Sequence, residues 1–263
     1  MEKISGLLNN EKLNLNGTHS KFTTTEDDGY DGNAYLHQYN LDNVDCPKCH
    51  NTGYITELRP GGLLYSNPCE CLKERVARRR LAKSGMEDMA KRNNFATYNA
   101  DDKQRMVIKQ AAEKYALNPN GWFFISGRTG SGKSHICTAI CSKLMNSGFD
   151  VVLMMWRDES RKIKAAVTGE EADEMLDFYK EAQVLYIDDF LKGGATDADM
   201  RLSFELLNYR YNNTKLFTVI SSELDLRDIM KLDEAVAGRI YERSKGTIFR
   251  TPNENWRMKG AYK

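Results

Sequence analysis

The sequence predicts an α/β protein in which a mostly parallel sheet is flanked by helices and preceded by a small metal-binding domain. In residues 93–263, short apolar runs alternate with helix-like segments, which is the pattern of strand–helix–strand units with a parallel sheet. A glycine-rich loop ending in Lys133-Ser134 lies between one such run and the helix after it. Before this domain, four closely spaced cysteines indicate a metal site.

Apolar periodicity and turn residues define the elements of the large domain. The first helix, predicted over 101–118, ends before Pro119 and Gly121 because these residue types terminate helices. The predicted strands are mostly short apolar runs, at 122–126, 151–156, 184–188, 216–221 and 247–251. The other predicted helices are 132–146, 158–181, 200–212, 225–231 and 233–243.

The overall composition argues against two classes of protein. The chain has 263 residues, with 38 Lys and Arg against 37 Asp and Glu, so it is not a polycation that coats nucleic acid. The sequence has no run of 18 apolar residues that would predict a membrane span, and residues 1–17 lack the apolar core of a signal peptide. We therefore expect a cytoplasmic protein whose six cysteines are metal ligands or core residues, not disulfides.

Charge divides the chain into three regions. Residues 1–45 have three basic and eight acidic side chains, which predicts a flexible acidic region or, at its start, a short amphipathic helix that docks a partner. Residues 46–92 have ten basic and five acidic side chains, and contain the cysteines and the basic helix LKERVARRRLAKSGM. That helix is either a solvated linker or a contact for nucleic acid or an acidic partner. Residues 93–263 form the large domain.

One segment fits the phosphate-binding pattern G-x-x-x-x-G-K-[ST] at every position. Its residues are Gly127, Arg128, Thr129, Gly130, Ser131, Gly132, Lys133 and Ser134. The glycines allow a tight loop whose N–H groups point at phosphate oxygens, and the following helix adds the partial positive charge of its N-terminus. We expect Lys133 to bind the β- and γ-phosphates of ATP and Ser134 to bind Mg²⁺.

A pair of carboxylates follows the third predicted strand. Asp188 lies at the carboxyl end of that apolar run, the edge at which open α/β sheets bind ligands, and is therefore the predicted Mg²⁺ ligand. The next residue, Asp189, either polarises an attacking water or is a solvated acid at the end of the strand. Because Asp reaches less far than Glu, we expect slow hydrolysis.

The cysteines form two short hooks around a glycine-containing stretch that predicts a hairpin. The hooks are Cys46-Pro47-Lys48-Cys49 and Cys69-Glu70-Cys71. Four thiolates at this spacing favour a tetrahedral Zn²⁺ site, and His50 is an alternative ligand for one of them. The other two cysteines, Cys137 and Cys141, are spaced i, i+4 on the helix after the phosphate loop and are expected in the core.

Several of these segments occur together in one known family. The cysteine hooks and basic helix are followed by FATYNADD (95–102), GRTGSGKS (127–134), VLYIDD (184–189) and AGRIYER (237–243). From residue 46 onward the chain thus resembles bacterial and phage replicative helicase loaders of the DnaC/DnaI type, which are related to the IstB transposition ATPases. The resemblance implies an AAA+ domain over 93–263 that self-associates through its ATP site, with Arg239, or else Arg243, inserted into a neighbour's site.

The end of the fourth predicted strand departs from that family. Its members usually have a polar residue there, often Asn, that contacts the γ-phosphate. This chain has Ile220-Ser221-Ser222-Glu223, with Glu223 in the Asn position, and a carboxylate facing phosphate would repel it. The residue that senses the γ-phosphate is therefore Ser221, Ser222 or Glu223.

The resemblance also places single-stranded DNA along helices after the second strand, here residues 156–180. Four cations lie near the start of this segment, at Arg157, Arg161, Lys162 and Lys164, and such groups give salt-dependent binding without sequence preference. Trp156 is either a base-stacking residue or part of the core. Near the C-terminus, Arg257 and Lys259 belong either to a tail or to a DNA contact.

The resemblance implies an ATP-dependent replication protein that binds a helicase hexamer through its N-terminal region and loads it onto single-stranded DNA. An IstB-like transposition helper is an alternative on the same fold, but the cysteine region before the ATPase favours the loader. A P-loop small-molecule kinase would need an acceptor pocket and an Arg-rich lid, and no lid insertion is evident. A zinc scaffold with an inactive ATPase is a fourth possibility.

Overall fold

The computed structural model describes residues 45–59, 63–166 and 168–252. The predicted N-terminal helix, and the basic residues Arg257 and Lys259, lie outside these ranges. The chain divides into two compact units, with the boundary between Arg75 and Val76. No helix within the described ranges is long and apolar enough to cross a membrane.

The first unit contains the hairpin that the sequence predicts between the cysteine hooks. Strands β1 (Tyr54–Arg59) and β2 (Leu63–Pro68) are antiparallel, with Tyr54 opposite Pro68. Helix α1 (Leu72–Lys83) begins immediately after the second hook and is the predicted basic helix. Two of its cations have contacts within the protein. Arg75, in the first unit, is buried, and Arg80, in the second unit, forms an ion pair with Asp150 of the same unit at 2.8 Å.

The second unit is built on a five-stranded parallel sheet, which confirms the predicted α/β class. Its strands are β3 (Trp122–Ser126), β4 (Val151–Met155), β5 (Val184–Phe190), β6 (Phe217–Ser222) and β7 (Ile248–Arg250). Their order across the sheet is β4-β5-β6-β3-β7, and every neighbouring pair is parallel. The central strands β3, β5 and β6 are buried along almost their whole length because helices cover both faces.

Eight helices of the second unit follow α1 in the described residues. They are α2 (Glu87–Arg92), α3 (Lys103–Leu117), α4 (Lys133–Asn146), α5 (Trp156–Ala165), α6 (Gly169–Glu181), α7 (Asp197–Asn212), α8 (Leu226–Leu232) and α9 (Glu234–Arg243). Side-chain caps fix several starts: Asp102 accepts a bond from the Arg105 amide, and Thr196 forms a capping box with Asp199. That box explains why α7 begins three residues before the predicted position.

The sequence predicted one helix over 158–181, and this prediction was wrong. The structure has two helices here, because Thr168 caps a new one by accepting a hydrogen bond from the Glu171 amide. The backbone of Ala166 already leaves helical geometry at the end of α5. Strand β4 also ends one residue earlier than predicted, and Trp156 begins α5.

Alternation along the strands divides the core between the two faces of the sheet. In β3, Trp122 and Phe124 pack with residues of α7 and α9, whereas Phe123 and Ile125 pack with residues of α3 and α4. Cys137 and Cys141 are fully buried in the second group, as predicted. Because β3, β6 and β5 are adjacent and parallel, their carboxyl ends meet at one edge, where the phosphate loop also begins.

Candidate nucleotide-binding site and cysteine cluster

The phosphate loop connects β3 to α4 and needs its glycines at two close approaches. Gly127 has φ 145°, and a Cβ there would lie 2.0 Å from Thr251 Oγ1. Gly132 has φ 96°, and a Cβ would lie 3.3 Å from the Tyr98 ring. The loop is further tied to β7's end by a 2.6 Å hydrogen bond between Thr251 Oγ1 and Ser131 Oγ. Only glycine suits such a left-handed, crowded backbone.

Lys133 is the first residue of α4 and lies inside the loop. Its Nζ donates a 2.9 Å hydrogen bond to the carbonyl oxygen of Arg128. Burial lowers the pKa of this amine from its ordinary value, and the carboxylate of Asp189 acts in the opposite direction. A buried ammonium with one carbonyl partner is prepared to interact with a polyanion, because phosphate oxygens would replace the hydration it has lost.

Asp188 and Ser134 come together although 53 residues separate them in the chain. Ser134 Oγ donates to Asp188 Oδ1 at 2.9 Å, and Tyr186 Oη donates to the same oxygen at 2.7 Å. Ser221 Oγ also donates to it. Asp188 is only 4% exposed. A hydroxyl and a buried carboxylate beside the phosphate loop are the hard oxygen donors that Mg²⁺ prefers, so these residues fit the predicted ion.

Asp189 has an unusual, left-handed backbone near the end of β5. Its φ is 54°, and the pairing of β5 with β6 is irregular between Ile187 and Phe190. The amide of Asp189 donates to Ser221 Oγ at 3.0 Å, and its carboxylate accepts a bond from Lys192 Nζ at 2.8 Å. This irregularity presents a second carboxylate next to Asp188 at the same edge of the sheet.

A cavity of about 530 Å³ is lined by Lys133, Ser134 and the two aspartates, and by a segment that precedes α3. The segment contains Asn94, Thr97 and Tyr98, and it packs on His135 near the start of α4. The Nε2 atom of His135 lies 3.0 Å from the Asn94 carbonyl oxygen and 3.1 Å from Thr97 Oγ1. Tyr98 meets the His135 ring edge-to-face at 5.3 Å. Thr97, Tyr98 and His135 line the cavity and were not predicted as site residues; the nearest sequence signal was the segment FATYNADD.

The three candidate sensors at the end of β6 have different surroundings. Ser221 contacts Asp188 and Asp189 as described, and Ser222 Oγ donates to the carbonyl oxygen of Phe190 at 2.8 Å. Glu223 Oε1 lies 3.1 Å from Lys192 Nζ. The Ser222 hydroxyl is therefore occupied in a structural hydrogen bond, whereas Ser221 and the Glu223–Lys192 pair lie beside the carboxylates of Asp188 and Asp189.

The two candidate inserted arginines lie outside the cavity wall. Arg239 bonds Asn208 Oδ1 through Nε at 3.0 Å and through Nη2 at 2.8 Å, and its guanidinium lies 4.6 Å from the Phe204 ring centroid. It belongs to the α7–α9 surface. Arg243 lies over Trp122, the first residue of β3, and is therefore at the opposite end of the sheet from the phosphate loop.

Of the four cations in the predicted DNA-binding segment, two form ion pairs in the part of the chain that the structure describes and two do not. Lys162 pairs with Glu159 at 2.8 Å, and Lys164 pairs with Asp199. Within the described ranges, Arg157 and Arg161 have no carboxylate partner, and both line a second cavity of about 290 Å³ that also contacts Asp188 and Asp189. Trp156 is 2% exposed and packs on Phe190 at 4.9 Å, so it is a core residue and not a base-stacking one.

In the first unit, the four predicted cysteines converge. Their Sγ atoms all lie within 4.8 Å of one another, with Cys46–Cys69 at 3.8 Å and Cys49–Cys71 at 3.4 Å. Four sulfurs about 2.3 Å from a tetrahedral zinc ion would be about 3.8 Å apart, so the cluster fits Zn²⁺. The alternative ligand His50 is exposed and is not part of the cluster.

Hydrogen bonds to sulfur support a thiolate cluster. The Gly53 amide donates to Cys49 Sγ at 3.2 Å, and Arg75 Nε donates to Cys71 Sγ at 3.4 Å. Burial opposes ionisation of both Cys49 and Cys71. For Cys49 the Gly53 bond and the neighbouring thiols outweigh it and lower the pKa to about 6, whereas burial keeps the pKa of Cys71 above its ordinary value despite the Arg75 bond, so Cys49 is the thiol that ionises first. Such second contacts orient metal ligands and stabilise their charge.

Comparisons with known proteins identify relatives of this chain. The chain is 31% identical over 215 residues to the phage-like element PBSX protein XkdC of Bacillus subtilis, covering 75% of this chain and 79% of that protein. It is 25% identical over 170 residues to the replicative helicase loader DnaC of Buchnera aphidicola subsp. Baizongia pistaciae, covering 61% and 68%. The family Novel STAND NTPase 3 matches residues 104–206.

Solved structures share the fold at low sequence identity. A crystal structure of DnaI matches with a TM-score of 0.54 and 20% identity, covering 64% of this chain and 92% of that one. The replication initiator DnaA bound to AMPPCP and single-stranded DNA matches with a TM-score of 0.53 and 16% identity, covering 62% and 50%. The fold and the phosphate loop define a P-loop AAA+ ATPase, and the DnaC relatives place it in the DNA replication class. More particularly, the chain belongs to the family of XkdC and the DnaC-type AAA+ helicase loaders.

Proposed function

We propose that this protein is an ATP-controlled loader that binds a hexameric replicative helicase and delivers it to single-stranded DNA in the cytoplasm. The observation that supports it most is the convergence of Lys133, Ser134 and Asp188 at one sheet edge, in a chain whose relatives include replicative helicase loaders. In this account the ATPase is a switch, and the N-terminal region with its cysteine cluster binds the helicase.

The residues at the sheet edge have separate roles in hydrolysis. The loop amides and Lys133 hold the phosphates, while Asp189 accepts a proton from the attacking water. The water oxygen bonds the γ-phosphorus as the bond to the β–γ bridging oxygen breaks, so ADP leaves and the proton is passed on to phosphate or solvent. Mg²⁺, held by Ser134 and Asp188, would neutralise charge on the phosphates.

Arg239 is the residue that we assign to a neighbouring subunit's ATP site. Its position on the α7–α9 surface, away from the cavity of its own chain, suits an arginine that acts on another copy. A guanidinium near the γ-phosphate stabilises the charge that develops there and makes hydrolysis depend on self-association. Zn²⁺ at the four cysteines would hold the hairpin and hooks together for helicase binding.

Arg157 and Arg161 are the proposed contacts to single-stranded DNA. They are exposed and one helical turn apart on α5, so both can reach consecutive phosphates. The cavity that they line also contacts Asp188 and Asp189, which gives DNA a direct route to the ATP site. Removing both should lower the salt dependence of DNA binding by about 1.4 in log–log slope, at about 0.7 per phosphate contact.

The proposed function is tested by ATP turnover of the full chain with and without single-stranded DNA and the hexameric helicase. We expect both to stimulate turnover, and we expect Arg157→Ala/Arg161→Ala to remove the DNA effect. Arg227→Ala, at an exposed position of α8, is the matched control and should keep the DNA effect. Stimulation by a small phosphate acceptor instead of DNA and helicase would contradict the proposal and favour a kinase.

A further inference from the structure

The negative charge of Glu223 beside the phosphate site is compensated by a neighbouring cation, Lys192. The three carboxylates Asp188, Asp189 and Glu223 lie around the phosphate site, and alone they would repel a nucleotide. Lys192 Nζ lies 2.8 Å from Asp189 Oδ2 and 3.1 Å from Glu223 Oε1, so one ammonium is held between two of them. Lys192 also lines both the nucleotide cavity and the smaller cavity beside it.

The backbone fixes Lys192 at this position. The Lys192 amide donates to the Asp189 carbonyl oxygen at 3.0 Å, which closes a tight turn after β5. Between them, Leu191 has φ 58° and is only 1% exposed, so its side chain anchors the turn in the core. A strained, left-handed leucine is kept only where surrounding packing requires it. The turn therefore directs Lys192 toward the end of β6.

The contacts of Lys192 leave it able to bind a further anion. An ammonium has three N–H donors, and Asp189 and Glu223 use two of them. The Lys192 side chain is 32% exposed and thus accessible from the cavity. Its hydrogen bond to Asp189 raises the pKa of Lys192 above the ordinary value, so the group is fully charged at neutral pH.

We propose that Lys192 contacts the γ-phosphate of ATP, and that Glu223 serves to hold Lys192 there. This rests on the proposed function, since it assigns a residue to the same ATP site. The Glu223–Lys192 pair thus takes the place of the neutral amide at the end of β6: the carboxylate of Glu223 holds the ammonium of Lys192, and the ammonium contacts the phosphate. During hydrolysis, Lys192 stabilises negative charge on the γ-phosphate oxygens and orients Asp189 toward the attacking water. ADP lacks this phosphate, so Lys192 distinguishes ATP from ADP.

The test measures turnover and nucleotide affinity in the full chain. For Lys192→Ala, we expect ATP turnover to fall about 100-fold, the scale of losing one preorganised donor to developing charge. Affinity for a non-hydrolysable ATP analogue should fall about tenfold, and affinity for ADP should stay within about twofold. Lys192→Arg should restore most of the turnover. Glu223→Gln, which leaves Asp189 to hold the lysine, should have a smaller effect than Lys192→Ala.

A matched control and the melting temperature separate this role from a structural one. Lys231 is an exposed lysine in a 3.2 Å pair with Asp228, so Lys231→Ala removes a similar ion pair away from the site. Equal losses for ADP and the analogue with a lowered melting temperature would overturn the proposal, as would unchanged or faster turnover. If the wild-type chain does not hydrolyse ATP, the proposed function fails, and the two affinities still decide whether Lys192 senses the γ-phosphate.

Discussion

Asp188→Asn tests the predicted Mg²⁺ site because it changes charge with almost no change in shape. The carboxylate oxygen that accepts bonds from Ser134, Tyr186 and Ser221 becomes an amide oxygen, so the hydroxyl donors keep an acceptor. What is lost is a negative ligand for the ion. We expect turnover to fall by at least 100-fold, which corresponds to about 2.7 kcal/mol of transition-state stabilisation.

Folding stability should respond very differently to the same change. Three hydrogen bonds to a charged acceptor become neutral ones, at a cost of about 1 kcal/mol each. Against this, Asp188 is buried, and removing its charge relieves a desolvation penalty of several kcal/mol. The two terms oppose each other, so the free energy of unfolding should change by less than about 2 kcal/mol, or roughly 4–8 °C in melting temperature.

The assay is steady-state ATP hydrolysis with Mg²⁺, beside thermal unfolding of the same samples. Asp173→Asn is the control, since Asp173 is an exposed acid in the middle of α6. Unchanged turnover in Asp188→Asn would remove this residue from the site. A melting temperature lowered by much more than about 8 °C would mean that the carboxylate is needed for folding, and the catalytic interpretation would be refuted.

Four further outcomes are expected. Cys49→Ser should lower the zinc content, measured by mass spectrometry, from about one ion per chain to near zero. Arg239→Ala should leave ATP affinity unchanged but remove the rise of specific activity with protein concentration; an equal loss of affinity would place Arg239 in its own site. Arg210→Met leaves four carbonyl oxygens and the Thr218 hydroxyl without their buried donor, so it should cost at least about 3 kcal/mol and lower the melting temperature by about 6–12 °C. Burial lowers the pKa of His135 below its unfolded value of about 6.5. The neutral imidazole therefore contributes its full stability above about pH 6.5, and this contribution is lost as the pH falls below that value. The fall in melting temperature from about pH 7.5 to about pH 5.5 should therefore be smaller in His135→Gln than in the wild type.

The strands and the phosphate loop could be predicted because their signals are local. Each central strand contains a mostly apolar run, as burial on both faces of a covered sheet requires, and the glycines of the loop are required by its backbone conformation. The convergence of Ser134 with Asp188 also followed from sequence, because parallel strands bring their carboxyl ends to one edge. The cysteine spacing likewise predicted the cluster that the first unit forms.

Other features depend on packing between distant segments and had no local signal. The irregular end of β5 places Asp189 at φ 54°, which allows Lys192 to pair with Glu223, and no motif describes this pair. Arg210 is fully buried although its sequence position suggests an exposed helix end. The break between α5 and α6 had a weak signal in Thr168, whose hydroxyl competes for the backbone as a cap.

An ATP-controlled loader must increase the amount of active helicase on single-stranded DNA. The measurement is unwinding of an oligonucleotide annealed to circular single-stranded DNA by the hexameric helicase, with the full chain and ATP. We predict that unwinding rises strongly with the wild-type protein and returns to the helicase-alone level with Lys133→Ala. Unwinding that is unaffected by the wild-type chain, or equally raised by Lys133→Ala, would contradict the account.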